Sequence, residues 1–138
     1  MHHASIRTAD IHRAIAFYEQ LGFVMEERFT AGYTLACWMT GLGGRIELLQ
    51  VPEPTSPPDP FGDEHYVGYY HLSFDLTGQI DDLADWLSAL QLKLDHQLNI
   101  LLQPTQQMIG PRVYEVAFIA DRDGMPIEFL RQMNRATA

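Results

Sequence analysis

The sequence predicts an α+β fold built from two β-α-β-β-β modules. Two observations predict it. The order strand, amphipathic helix, strands occurs twice along the 138 residues. Each occurrence also opens near a histidine and closes on a strand with a glutamate among large apolar residues.

The first module, residues 1–51, starts with a strand over 3–8. Asp10 is placed to cap a helix whose apolar residues Ile11, Ala14, Ile15, Tyr18 and Leu21 fall on one face, with Gly22 as its stop. Strands over 23–29, 33–40 and 45–51 follow, separated by Gly32 and by Gly41, Gly43 and Gly44. The second module, residues 69–133, repeats the order. A strand over 69–76 leads to a helix capped by Thr77 or Gly78 and running to about Leu90, with Ile80, Leu83, Leu87 and Leu90 on one face. A strand within 92–102 and strands over 112–120 and 125–131 complete it. Asp121-Arg122-Asp123-Gly124 is the tight turn between the last two, with Gly124 supplying the positive φ. Between the modules, residues 52–68 carry five prolines and read as a linker in preference to a flap over a site. The whole chain, 1–138, is expected to form one domain.

Composition narrows the function. The net charge is −9, and Lys93 is the only lysine among nine basic residues. No basic cluster exists to meet phosphates, so neither nucleic acid nor an anionic membrane surface is an expected partner. No apolar run approaches the length of a membrane span, and the N-terminus lacks the apolar core of a signal peptide. The single cysteine, Cys37, rules out an intrachain disulfide, fits a reducing compartment, and reads as core. A cytoplasmic location is the expectation.

Chemistry is expected at the module ends. His3 opens the first module and Glu47 sits in its closing strand; His71 and Glu128 hold the same places in the second. Both glutamates lie in strands that read as buried on both faces. An unpaired buried carboxylate costs several kcal/mol or stays protonated. One divalent cation shared with the two imidazoles is a simple remedy, and these donors suit Zn, Ni, Co, Mn or Fe. His2 competes with His3; on a strand the two face opposite ways, and Arg7 shares the His3 face, so His3 is taken as the ligand. His12, His65 and His96 lack a repeat partner and read as surface or loop residues, and Trp38 and Trp86 as core.

The segments His3-Ala4-Ser5-Ile6-Arg7-Thr8-Ala9-Asp10, Ala16-Phe17-Tyr18-Glu19-Gln20-Leu21-Gly22-Phe23, His71-Leu72-Ser73-Phe74 and Ala120-Asp121-Arg122-Asp123-Gly124-Met125-Pro126-Ile127-Glu128 together resemble the vicinal oxygen chelate superfamily. That superfamily holds glyoxalase I, extradiol dioxygenases, methylmalonyl-CoA epimerase and fosfomycin and bleomycin resistance proteins. The resemblance implies paired βαβββ modules forming curved mixed sheets around a central cleft, and a homodimer as the more common arrangement. It implies His3, Glu47, His71 and Glu128 as metal ligands, a set similar to that of bacterial glyoxalase I. It further implies a metal-dependent lyase or isomerase acting by proton transfer next to a carbonyl or enediolate, with Glu128 as the base and Glu47 opposite it. Arg7 matches a glutathione-binding arginine, which makes a glutathione conjugate a candidate for the small-molecule substrate. Arg7 could equally pair with Asp75.

Two positions depart from glyoxalase I. Val51 stands where an asparagine contacts glutathione, and Gln106, Gln107 and Met108 occupy the region of an expected lysine. The substrate is therefore left open between lactoylglutathione lyase chemistry and others. The alternatives are a non-haem Fe(II) dioxygenase, a non-catalytic small-molecule-binding protein of the same fold, and a purely structural metal. Oxygen chemistry needs open coordination positions, which a fourth protein ligand argues against.

Overall fold

Residues 1–133 are described in the structure, a computed structural model; the end of the expected single domain, 134–138, lies outside them. The chain divides into two compact units, Met1–Pro58 and Asp59 onward. The boundary falls inside the proline-rich segment.

In the first unit the order is β1 (Ala4–Thr8), α1 (Ile11–Gln20), β2 (Val24–Ala31), β3 (Thr34–Gly41) and β4 (Gly44–Gln50). The sheet order is β1-β4-β3-β2, with β1 and β4 parallel and the other pairs antiparallel. Asp10 caps α1 as expected: its backbone is extended and its carboxylate accepts the Arg13 N–H. The helix then meets Gly22, whose φ of 103° suits glycine alone. Ile11, Ala14, Ile15 and Tyr18 are buried with Ile6, Cys37, Met39, Ile46 and Leu48. Each large side chain buried this way contributes roughly 1.5–3 kcal/mol. Strand alternation therefore assigns one face of the sheet to α1. The other carries Ser5, Trp38 and Glu47, which stand in one row across β1, β4 and β3.

In the second unit the order is β5 (Leu72–Asp75), α2 (Leu83–Lys93), β6 (Asn99–Ile109), β7 (Arg112–Ala120) and β8 (Pro126–Gln132). The sheet order, β5-β8-β7-β6, repeats that of the first unit with the same strand directions. Trp86 of α2 packs edge-on against Phe129. Ile127 and Phe129 are fully buried. The opposite face carries the equivalent row Ser73, Glu128 and Phe118.

Three expectations need correction. The opening strand of the second module is shorter than 69–76, so His71 lies just ahead of β5. The α2 cap is Asp82, not Thr77 or Gly78. Gly78 is left-handed, φ 77°, whereas Asp82 is extended and its carboxylate accepts the Asp85 N–H. The next strand is 99–109, not within 92–102. The helix runs on to Lys93, and Asp95 and His96 then turn through positive φ. The longer strand, β6, tolerates Pro104 because it is an edge strand whose register shifts between Leu102 and Thr105. Other features stand as expected: β7 occupies 112–120, and Gly124 has φ 87°.

Candidate functional site

Two carboxylates occupy matched positions. In the first unit Glu47 is paired in register with Ser5 on one side and Trp38 on the other. The Ser5 hydroxyl donates to Oε1 at 2.9 Å and the Trp38 indole N–H to Oε2 at 2.8 Å. In the second unit Glu128 is paired with Ser73 and Phe118. The Ser73 hydroxyl donates to Oε1 at 2.6 Å. Phe118 has no donor to offer, so among the described residues Oε2 of Glu128 is given no hydrogen bond.

The electrostatics follow from these contacts. Partial burial pushes the Glu47 pKa up. The hydrogen bonds from Trp38 and Ser5, with the nearby His3 and His2, outweigh it and hold the carboxyl below its ordinary value. Glu47 is thus a pinned anion.

The histidines lie just ahead of the opening strands. His3 Nε2 is 3.5 Å from Glu47 Oε2. His3 Nδ1 is 2.7 Å from His2 Nδ1. The expectation that His2 and His3 face opposite ways is overturned. Both precede β1, strand alternation does not reach them, and both rings lie against Trp38, with centroids 4.9 and 5.9 Å away. In the second unit His71 packs edge-on against Phe118 at 4.9 Å, and its Nδ1 is 3.2 Å from the Leu72 carbonyl oxygen. Among the described residues no ion pair joins His71 to Glu128.

Arg7 is exposed and forms no ion pair within its own unit, while Asp75 is engaged locally, accepting the Thr77 N–H at 2.9 Å. Tyr69 is exposed. Tyr70 stacks on Phe118 at 6.0 Å, and Phe61, from the proline-rich segment, lies on the same ring at 5.3 Å. The end of that segment therefore packs on the Glu128 face of its own unit, which a free linker would not do.

Sequence reasoning missed three residues of these clusters. Ser5 and Ser73 were detectable, because His-x-Ser occurs at the start of both modules. Trp38, expected in the core, is partly exposed and serves as the donor to Glu47; no sequence signal distinguishes it from a core indole.

Two ligand atoms about 2.1 Å from one tetrahedral metal lie roughly 3.4 Å apart. The His3–Glu47 separation of 3.5 Å matches, so this pair fits half of a metal site. Glu128 and His71 offer the same donor types. Among the described residues no group of three or more His, Cys, Asp or Glu side chains is already gathered around one point.

A family model described as Glyoxalase/Bleomycin resistance protein/Dioxygenase superfamily matches residues 1–129. No curated protein matches the chain. A glyoxalase family protein from Bacillus cereus superposes with a TM-score of 0.72 at 21% identity, over 97% of this chain and 94% of that one. A glyoxylase/bleomycin resistance protein/dioxygenase domain from Frankia sp. EAN1pec gives 0.72 at 20%, over 99% and 93%. A glyoxalase/bleomycin resistance protein/dioxygenase from Alicyclobacillus acidocaldarius gives 0.65 at 14%, over 96% and 90%. At these identities the likeness is one of fold. With the duplicated modules and the family match over residues 1–129, the chain belongs to the glyoxalase/bleomycin resistance protein/dioxygenase superfamily, the vicinal oxygen chelate proteins.

Proposed function

We propose that the protein is a metal-dependent lyase or isomerase of the glyoxalase type. It takes one divalent cation, Ni, Co, Zn, Mn or Fe, on His3 and Glu47 of the first unit and His71 and Glu128 of the second. The observation that carries the reading is the unequal treatment of the two matched carboxylates. Glu47 accepts a hydrogen bond on each oxygen, whereas Glu128 accepts one and keeps Oε2 open.

The division of labour follows. When bound, a divalent cation supplies Lewis acidity toward a substrate carbonyl. Glu47, held as an anion by Trp38 and Ser5, is a weak base and a fixed negative charge. Glu128 Oε2 takes a proton from the carbon beside the carbonyl and returns it to the neighbouring carbon. Ser73 holds the other oxygen and so fixes the direction of the open one. Phe118, in register beside Glu128, carries Tyr70 and Phe61 on its ring, an aromatic cluster on the side of the carboxylate that lacks a donor.

Arg7 is the proposed contact for a substrate carboxylate, with a glutathione conjugate the first compound to try. Assays would supply each of the five metals to the metal-free protein. Substrates would be the hemithioacetal of methylglyoxal and glutathione and a panel of other α-hydroxy and α-keto compounds, in deuterium oxide. Isomerisation, or exchange of the carbon-bound proton, is expected with at least one pair. No turnover and no exchange across the panel would sink the enzymatic reading.

A further inference from the structure

The 2.7 Å contact between His2 Nδ1 and His3 Nδ1 is a hydrogen bond, so one nitrogen donates and the other accepts. The other nitrogen of His3, Nε2, is the one that faces Glu47. A neutral imidazole binds a metal only through its unprotonated nitrogen, and metal-ligating histidines nearly always donate the other N–H to an acceptor. If Nε2 of His3 is the ligand, Nδ1 carries the proton and His2 Nδ1 receives it. His71 has the same arrangement with a different acceptor. Its Nδ1 lies 3.2 Å from the Leu72 carbonyl oxygen, which can only accept, and so its Nε2 is likewise left free.

We infer that His2 is a positioning residue, whose Nδ1 accepts the Nδ1–H of His3 and so presets His3 for metal binding through Nε2. The inference rests on the metal-site reading proposed above. His2 is itself held in place by the Trp38 ring, 4.9 Å away at an interplanar angle of 66°. Trp38 thus contacts both the carboxylate, through its indole N–H, and the acceptor of the histidine, through its ring. The backbone carbonyl that serves His71 cannot be removed by substitution, but the acceptor that serves His3 can.

The test compares three substitutions at an exposed position, where the fold has little to lose. Asn places an acceptor oxygen where His2 has Nδ1. Gln places it where His2 has Nε2. Leu offers none. Zn(II) affinity, read by competition with a chromophoric chelator, is expected to stay near wild type in His2→Asn. It should fall roughly 10–100-fold in His2→Leu and His2→Gln. In ¹⁵N-labelled, Zn-loaded protein, His3 should show a slowly exchanging, hydrogen-bonded Nδ1–H that persists in His2→Asn and is lost in His2→Leu. Wild-type affinity in His2→Leu would overturn the inference and leave the metal site standing. A loss in His2→Asn equal to that in His2→Leu would also overturn it, by showing that the imidazole itself is required. Wild-type protein that binds no Zn(II) would remove the metal reading and this inference with it.

Discussion

The two units place a serine, a glutamate and an aromatic residue in one row of the sheet, yet they treat the glutamate differently. In the first unit the aromatic is Trp38, a donor; in the second it is Phe118, which has none. One side-chain nitrogen separates a carboxylate with both oxygens engaged from one with an oxygen to spare. Duplication supplies two carboxylates at matched positions, and a neighbour on the adjacent strand sets how many of their oxygens are hydrogen-bonded. The same contrast recurs at the helices. The first N–H of α1 is met by the neutral amide oxygen of Gln50, and that of α2 by the carboxylate of Glu115, which Arg131 holds bidentately.

The largest expected effect lies at the open carboxylate. Glu128→Gln should lower turnover by about 10²–10⁴-fold with the fold retained. Glu47→Gln, measured at saturating metal, should lower it less. Equal losses, or the reverse order, would break the assignment of roles. The second test makes the first unit resemble the second. Trp38→Phe removes a hydrogen bond to a charged group that water partly reaches, and should cost about 1–2 kcal/mol in chemical denaturation. Metal affinity should fall with it, because Glu47 loses the donor that fixes its Oε2.

The third test uses Glu115. The Arg131 guanidinium beside it holds its carboxyl below the ordinary carboxylate value, against partial burial and with help from the Leu83 N–H. A carboxyl with a depressed folded pKa adds stability above its unfolded pKa of about 4.3, and that stability disappears as pH falls through the folded value. Glu115→Gln should therefore destabilise the protein by about 1–3 kcal/mol at neutral pH and much less at acid pH. Gln50→Ala should cost less, about 0.5–1.5 kcal/mol, with no such pH dependence. The smallest effect concerns Cys37, which is buried and whose thiol pKa burial raises. It should stay unlabelled by thiol reagents in the folded protein and react on unfolding.

The fold was largely legible because duplication wrote each pattern twice. Asp10 and Gly22 bracket α1 where the spacing put them. What failed was local competition between signals. Thr77-Gly78 and Asp82 both look like helix starts, and the extended backbone of Asp82, whose carboxylate accepts the Asp85 N–H, decides between them. The strand expected within 92–102 stopped short of Pro104, although an edge strand with an irregular register accommodates that residue. At the candidate site the glutamates and their serines were present as repeats. The role of Trp38 was not legible, because it depends on the register of β3 against β4. The stacking of Phe61 on Phe118 joins residues far apart in sequence by a segment without regular structure, and no periodicity announces it.

The most direct test of the central claim is elemental analysis of the purified protein beside His3→Ala and Glu128→Ala. About one Ni, Co, Zn, Mn or Fe per site is expected in the wild type, with that metal lost in both variants. Wild-type protein that carries no metal and takes up none when it is supplied would contradict the account, and would leave a metal-free small-molecule-binding member of the superfamily.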